Sequence, residues 1–216
     1  MILDRDREFL FIHIPKTGGS AVCSAVRDQV TNGIVSRDNE KHKHYGATEV
    51  IEEYPEFDPS TWTVAAVIRN PWTMIASDYN FHLSHSRRIR GAGPRTDPLT
   101  CWRRQVRRLA SLPFDAFVME EHICKNPTTR WSRFTSDCSG VCVVNRVLRF
   151  ENLERDSLEL LRELGYVMDS LPVDNATDYT ESAEELYRKY PSAADWIAEF
   201  YADEIEEFGY ERPGVE

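Results

Sequence analysis

A lysine, two adjacent glycines and two hydroxyls stand together in Pro15-Lys16-Thr17-Gly18-Gly19-Ser20, directly after the apolar run that ends at Ile14. Adjacent glycines let the backbone bend sharply and approach a ligand closely. If a helix follows from about Ser20 to Val30, its first amides point at an anion in the turn and its dipole adds to the attraction. Lys16 supplies a mobile cation, and Thr17 and Ser20 supply short donors. The segment is therefore an anion-binding turn. It is not the nucleotide-triphosphatase loop GxxxxGK[ST], in which lysine follows the glycines and a hydroxyl then binds magnesium.

A second anion site is suggested by Arg69, at the end of the run Thr63-Val64-Ala65-Ala66-Val67-Ile68, and Ser77, two helical turns further on. A guanidinium holds phosphate through two hydrogen bonds, and a serine hydroxyl can add a third. For proton transfer, histidine is the natural candidate because its unperturbed pKa lies near neutrality. Of the six histidines, His42 and His44 lie in the basic segment Lys41-His42-Lys43-His44-Tyr45-Gly46, and His82 and His85 follow Arg69 in the next helix. His13 belongs to the first strand, where a core role is expected, and His122 lies in a helical region with no anionic motif beside it.

These groups need a frame. Glu8 to Ile14 reads as a strand buried on both faces, and Thr63 to Ile68 as a second. Asn70-Pro71 supplies an N-cap and a first-turn proline for a helix from Pro71 to about His85. Arg146 to Phe150 reads as a strand, Glu151 to Leu164 as an amphipathic helix stopped by Gly165, and Ala193 to Phe208 as one helix ending before Gly209. Strands alternating with helices predict a parallel sheet with helices on both faces and a ligand site beyond the carboxyl ends of the strands.

The bulk properties set limits. At 216 residues and 41% hydrophobic content the chain suits one domain, 1–216, with a mobile loop expected at Gly91-Ala92-Gly93-Pro94. The apolar runs are too short to span a bilayer, so a cytoplasmic protein is expected. Five cysteines without a CxxC pair read as free thiols, with pairing of Cys138 and Cys142 left open. A net charge of −10 disfavours nucleic acid, since a polyanion is bound by neutralising its phosphates. Yet Arg87, Arg88, Arg90, Arg95, Arg103, Arg104, Arg107 and Arg108 fall close together, with Trp102 among them. They read as a solvated face, as a surface for an anionic acceptor, or as help with donor phosphates.

Phe11-Ile12-His13-Ile14-Pro15-Lys16-Thr17-Gly18-Gly19-Ser20 resembles the 5′-phosphosulfate loop of the sulfotransferase superfamily, in the branch containing carbohydrate sulfotransferases. Val67-Ile68-Arg69-Asn70-Pro71 with Ser77 and Asp78-Tyr79 resembles that family's 3′-phosphate motif. Arg149-Phe150-Glu151-Asn152-Leu153 resembles its later strand-to-helix segment, and Phe208-Gly209-Tyr210 its usual ending. The resemblance implies an α/β fold, three-layer α/β/α with a central parallel sheet. It implies transfer of a sulfuryl group from 3′-phosphoadenosine-5′-phosphosulfate (PAPS) to a hydroxyl, with a carbohydrate as the expected acceptor and no metal. Pro15, Lys16, Thr17, Gly18, Gly19, Ser20 and Ala21 would then hold the phosphosulfate, Arg69 and Ser77 the 3′-phosphate, and Lys16 would face the departing phosphate oxygen. In related enzymes a histidine after the first helix faces the acceptor; His44 is the closest positional match and His42 the next, with an acidic residue as the alternative. The rival readings are a nucleotide-dependent small-molecule kinase and a non-catalytic nucleotide-binding protein on the same fold.

Overall fold

The computed structural model describes residues 1–36, 41–89, 99–124, 130–173 and 180–214. The expected loop at Gly91–Pro94 lies outside them. In chain order the elements are β1 (Ile2–Asp4), β2 (Phe9–Ile12), α1 (Gly19–Val26), β3 (Gly33–Val35), a 3₁₀ turn (Lys41–His44), α2 (Ala47–Glu53), β4 (Thr63–Ile68), α3 (Pro71–Ile89) and α4 (Leu99–Leu109). There follow α5 (Phe114–Phe117), a π-helical turn (Val118–Ile123), α6 (Trp131–Thr135), β5 (Arg146–Arg149), a 3₁₀ turn (Phe150–Asn152), α7 (Leu153–Glu163), α8 (Ala183–Lys189), α9 (Pro191–Phe200) and α10 (Ala202–Phe208). No helix among the described residues is long and apolar enough to cross a membrane. The chain divides into two compact units, Met1–Arg69 with Thr128–Asn175 and Asn70–Pro127 with Ala176–Glu216.

The first unit holds the sheet, in the order β3-β1-β2-β4-β5. Its parallel part matches the expectation: Phe9 pairs with Thr63 through Ile12 with Ala66, and Ala65 with Arg146 through Ile68 with Arg149. Antiparallel β1 and β3 extend it on one side, so the sheet is mixed. Each of these two strands is three residues long, too short for any periodicity to announce it. Alternation puts Phe9, Phe11, Ala65 and Val67 on one face, where Val22 and Val26 of α1 and Leu160 and Leu161 of α7 close a core. Leu10, Ile12, Val64 and Ala66 point the other way and are fully buried too, which is why these strands read as continuous apolar runs. Each such Leu, Ile or Phe contributes about 1.5–3 kcal/mol.

The second unit is helical. Asn70 caps α3 as expected, its Oδ1 accepting from the Trp72 amide at 3.1 Å. Trp72 Nε1 donates to Ala194 O at 3.1 Å and Tyr187 Oη to Trp72 O at 2.7 Å, tying α3 to α8 and α9. The helix expected over Ala193 to Phe208 is two helices, α9 and α10, interrupted at Tyr201, whose φ of −105° and ψ of 25° leave the helical region. Tyr201 is 1% exposed; burying it turns the chain where sequence alone reads one amphipathic run.

Candidate functional site

At the carboxyl end of β2 the chain runs through His13, Ile14 and Pro15 into a tight turn. Lys16 sits at φ 66° and Gly18 at φ 82°, both left-handed. For Lys16 that conformation costs about 1–2 kcal/mol, and surrounding bonds hold it there. Thr17 Oγ1 donates to Ile14 O at 2.9 Å and is buried, so this hydroxyl braces the turn from inside. Gly18 precedes α1 and gives it no side-chain cap, although its carbonyl accepts from the Ala21 amide at 3.1 Å; Ser20 and Ala21 lie in the opening turn. A Cβ on Gly18 would come within 2.6 Å of Leu153 Cδ2 and 3.2 Å of the Phe150 ring. A Cβ on Gly19 would run into the His13 imidazole. Both positions therefore require glycine for packing. Lys16 and Ser20 remain half-buried at the surface of this cradle.

Arg69 stands at the end of β4, 6% exposed. Its Nη1 donates to Lys16 O at 2.8 Å, and its Cζ lies 3.8 Å from the centroid of the Phe150 ring. Three segments far apart in sequence thus meet: the glycine loop, the end of β4 and the turn after β5. A guanidinium held at a sheet edge in this way is a planar fork of donors, the geometry that suits a phosphate-sized anion. Ser77 lies in α3 of the second unit, 5% exposed, next to Asp78, whose Oδ2 is 3.3 Å from Nε2 of the buried His122 and whose carbonyl oxygen is 2.9 Å from His82 Nδ1.

The histidines separate clearly. His44 Nδ1 is 2.8 Å from His13 O. A carbonyl oxygen only accepts, so Nδ1 carries the proton and the neutral ring has its lone pair on Nε2, the arrangement a general base needs. His44 is exposed and its ring centroid lies 4.8 Å from that of His13. His13 is 3% exposed, with Nδ1 buried and without a hydrogen-bond partner among the described residues. Burial holds its imidazole well below the ordinary histidine value, and the positive charges of the Met1 amino group and Lys43 push the same way. His42 is engaged elsewhere: its Nε2 is 3.0 Å from Glu53 Oε1. The same carboxylate accepts from Tyr45 Oη at 2.8 Å and Lys41 Nζ at 3.2 Å, and these bonds, Tyr45 first, hold it below the usual carboxylate range.

On α4, Arg104, Arg107 and Arg108 are exposed, Arg103 is half-buried and Trp102 is 42% exposed. Arg108 pairs with Glu120, and Arg107 Nη2 donates to Ile89 O at 3.3 Å. Arg90 and Arg95 lie outside the described residues. Cys138 and Cys142 are exposed free thiols on the turn that Asp137 closes by accepting from the Ser139 and Val141 amides.

Sequence reading left two neighbours of the cradle unassigned. Phe150 was read as the last residue of a strand and as part of the strand-to-helix segment, with no site role, and its partnership with Arg69 needs the parallel register of β4 and β5. His13 was read as core, and it is buried; its contact with Gly19 and its carbonyl's bond to His44 are tertiary facts.

No curated protein and no solved structure matches the chain. A family model described as the sulfotransferase family matches it over residues 1–211.

Proposed function

The chain belongs to the sulfotransferase family and is an enzyme of PAPS-dependent sulfuryl transfer; from that premise we propose that its acceptor is a carbohydrate hydroxyl and that His44 is its base. The acceptor oxygen attacks sulfur as the bond from sulfur to the 5′-phosphate oxygen breaks. His44 Nε2 takes the hydroxyl proton, and the Lys16 ammonium meets the charge left on the departing phosphate, giving a sulfate ester and adenosine 3′,5′-bisphosphate. The amides of Gly18 to Ser20, with Lys16 and the Ser20 hydroxyl, hold the phosphosulfate; the Ala21 amide already donates to Gly18 O at 3.1 Å, and Thr17 acts through its backbone because its hydroxyl braces the turn. Arg69 reads the 3′-phosphate, and Ser77 joins it on sequence spacing.

The observation that carries this reading is the bond from Arg69 Nη1 to Lys16 O, which fastens the residue assigned to the 3′-phosphate to the loop assigned to the 5′-phosphosulfate. For the base, support comes from the bond between His44 Nδ1 and His13 O, which fixes the tautomer; the Nε2 of His42 faces Glu53 instead. The test is incubation with donor radiolabelled at sulfur and a panel of saccharide, phenol, lipid and peptide acceptors, with γ-labelled ATP as control. Label is expected on saccharides from the sulfuryl donor alone. Replacing His44→Ala should lower turnover by about 10²–10⁴ while leaving donor binding near wild type. Transfer to phenols but not saccharides would overturn the acceptor class, and full turnover without His44 would overturn the base.

A further inference from the structure

We propose that Phe150 is a positioning residue that makes Arg69 selective for the donor's 3′-phosphate, and that it couples that recognition to the phosphosulfate loop. The inference rests on the assignment of Arg69 to the 3′-phosphate.

The sheet itself sets the contact. β4 and β5 are parallel with Ile68 opposite Arg149, so the next residue on each strand, Arg69 and Phe150, emerges side by side at the carboxyl edge. The chain turns into the 3₁₀ segment Phe150–Asn152 at that point, which leaves the ring beside the guanidinium instead of continuing the ladder. Cζ of Arg69 is 3.8 Å from the ring centroid, a cation over an aromatic face. Through two edge atoms, Cδ2 and Cε2, the same ring limits the space at Gly18, each lying 3.2 Å from where a Cβ would be. One ring therefore borders both the space at the left-handed Gly18 and the guanidinium of Arg69.

A guanidinium is a planar fork, and its usefulness toward phosphate depends on where that plane points. Here its face rests on Phe150 while Nη1 is fixed to Lys16 O, so the plane has one orientation. Without the ring, the arginine stem regains rotamer freedom, and both the guanidinium and the loop carbonyl that it holds lose a fixed position. Any loosening of the loop falls on both ligands, whereas the loss at the guanidinium falls only on ligands carrying a 3′-phosphate, so the preference between the two drops. A residue that only filled space would weaken both alike.

Calorimetric titration of adenosine 3′,5′-bisphosphate and of adenosine 5′-phosphate separates the two roles. The readout is the ratio of their dissociation constants in wild type, Phe150→Leu, Phe150→Tyr, Arg69→Ala and the Arg69→Ala/Phe150→Leu double variant. Phe150→Leu should cut the preference for the bisphosphate by about five- to thirtyfold, the range of a desolvated cation–π contact. Phe150→Tyr should keep the wild-type ratio, and the double variant should lose no more selectivity than Arg69→Ala alone. Should Phe150→Leu keep the ratio, or weaken both ligands equally, while Arg69→Ala abolishes it, Phe150 is packing and this inference fails alone. An unchanged ratio in Arg69→Ala would remove the 3′-phosphate assignment and this inference with it. Thermal melts of each variant accompany the titrations, and if Phe150→Leu does not fold, Phe150→Tyr decides: loss of the ratio there overturns the proposal.

Discussion

Asp4, beside the start of β2, is fully buried, yet its carboxylate accepts from Tyr166 Oη at 2.6 Å, Arg7 Nη1 at 2.8 Å and the Asp6 amide at 3.1 Å. Arg7 lies over the Tyr166 ring at 4.2 Å and donates to Leu164 O, tying the end of α7 to the sheet. At the other end of the same strand Lys16 is left-handed, His13 buries a nitrogen without a partner among the described residues, and two glycines make room for rings. At one end the buried carboxylate of Asp4 has its hydrogen-bond partners, as stability requires. The other holds strain and unmet hydrogen-bonding capacity beside a run of helix amides, as a ligand site does. The ends of a strand in a parallel sheet are not equivalent, and the division of labour follows the direction of the chain.

That contrast can be broken by substitutions that should act on one side only. The largest expected effect is on turnover: Lys16→Gly removes the cation and relieves the left-handed conformation, so kcat should fall by about 10²–10³ while the melting temperature does not fall. A parallel loss of activity and stability would show the loop to be part of the scaffold. Next, Asp4→Ala strands Tyr166 and Arg7 and should cost about 3 kcal/mol in denaturant unfolding, with KM for donor unchanged at low temperature. A shift in KM would join the two ends.

The smallest effects are in the pH dependence of stability, where the ends should govern opposite limbs. Burial first, then the bond to Asp4, pushes the Tyr166 phenol far above its usual value. Above about pH 10 the unfolded chain loses that proton and the native state keeps it, so stability falls as pH rises, by at most about 1.4 kcal/mol per unit. Tyr166→Phe should flatten the alkaline limb by one group, leaving the share of Tyr187, which burial also pushes up. His13 has its folded value depressed, so its contribution is present above about pH 6.5 and is lost as pH falls, when only the unfolded imidazole takes up a proton. His13→Asn should flatten the acid limb and leave the alkaline one alone. Melting temperatures across pH would show whether the limbs separate in this way.

Sequence made the parallel half of the sheet legible because long apolar runs bounded by Pro15 and Asn70-Pro71 leave little choice, and β4 falls on Thr63–Ile68 as expected. α1 was expected to reach about Val30 but ends at Val26, and α3 continues to Ile89 beyond the expected His85. Ends are set by what each helix packs against, which periodicity does not record. The cradle's own residues were legible for a similar reason: glycine pairs and a lysine after a strand are rare enough to notice. The role of Phe150 was not, because an aromatic at the end of a strand is ordinary, and only the register of β4 on β5 makes it Arg69's neighbour.

The contact between Gly19 and the His13 ring has a consequence for how this chain can diverge. Any larger residue at 19 must displace the imidazole, whereas a smaller residue at 13 with glycine kept at 19 leaves a void under the first turn of α1. Neither single step is neutral, although a paired exchange of bulk between the two sites can be. Positions 13 and 19 therefore behave as one heritable unit, and descendants of this sequence should change them together or leave both alone.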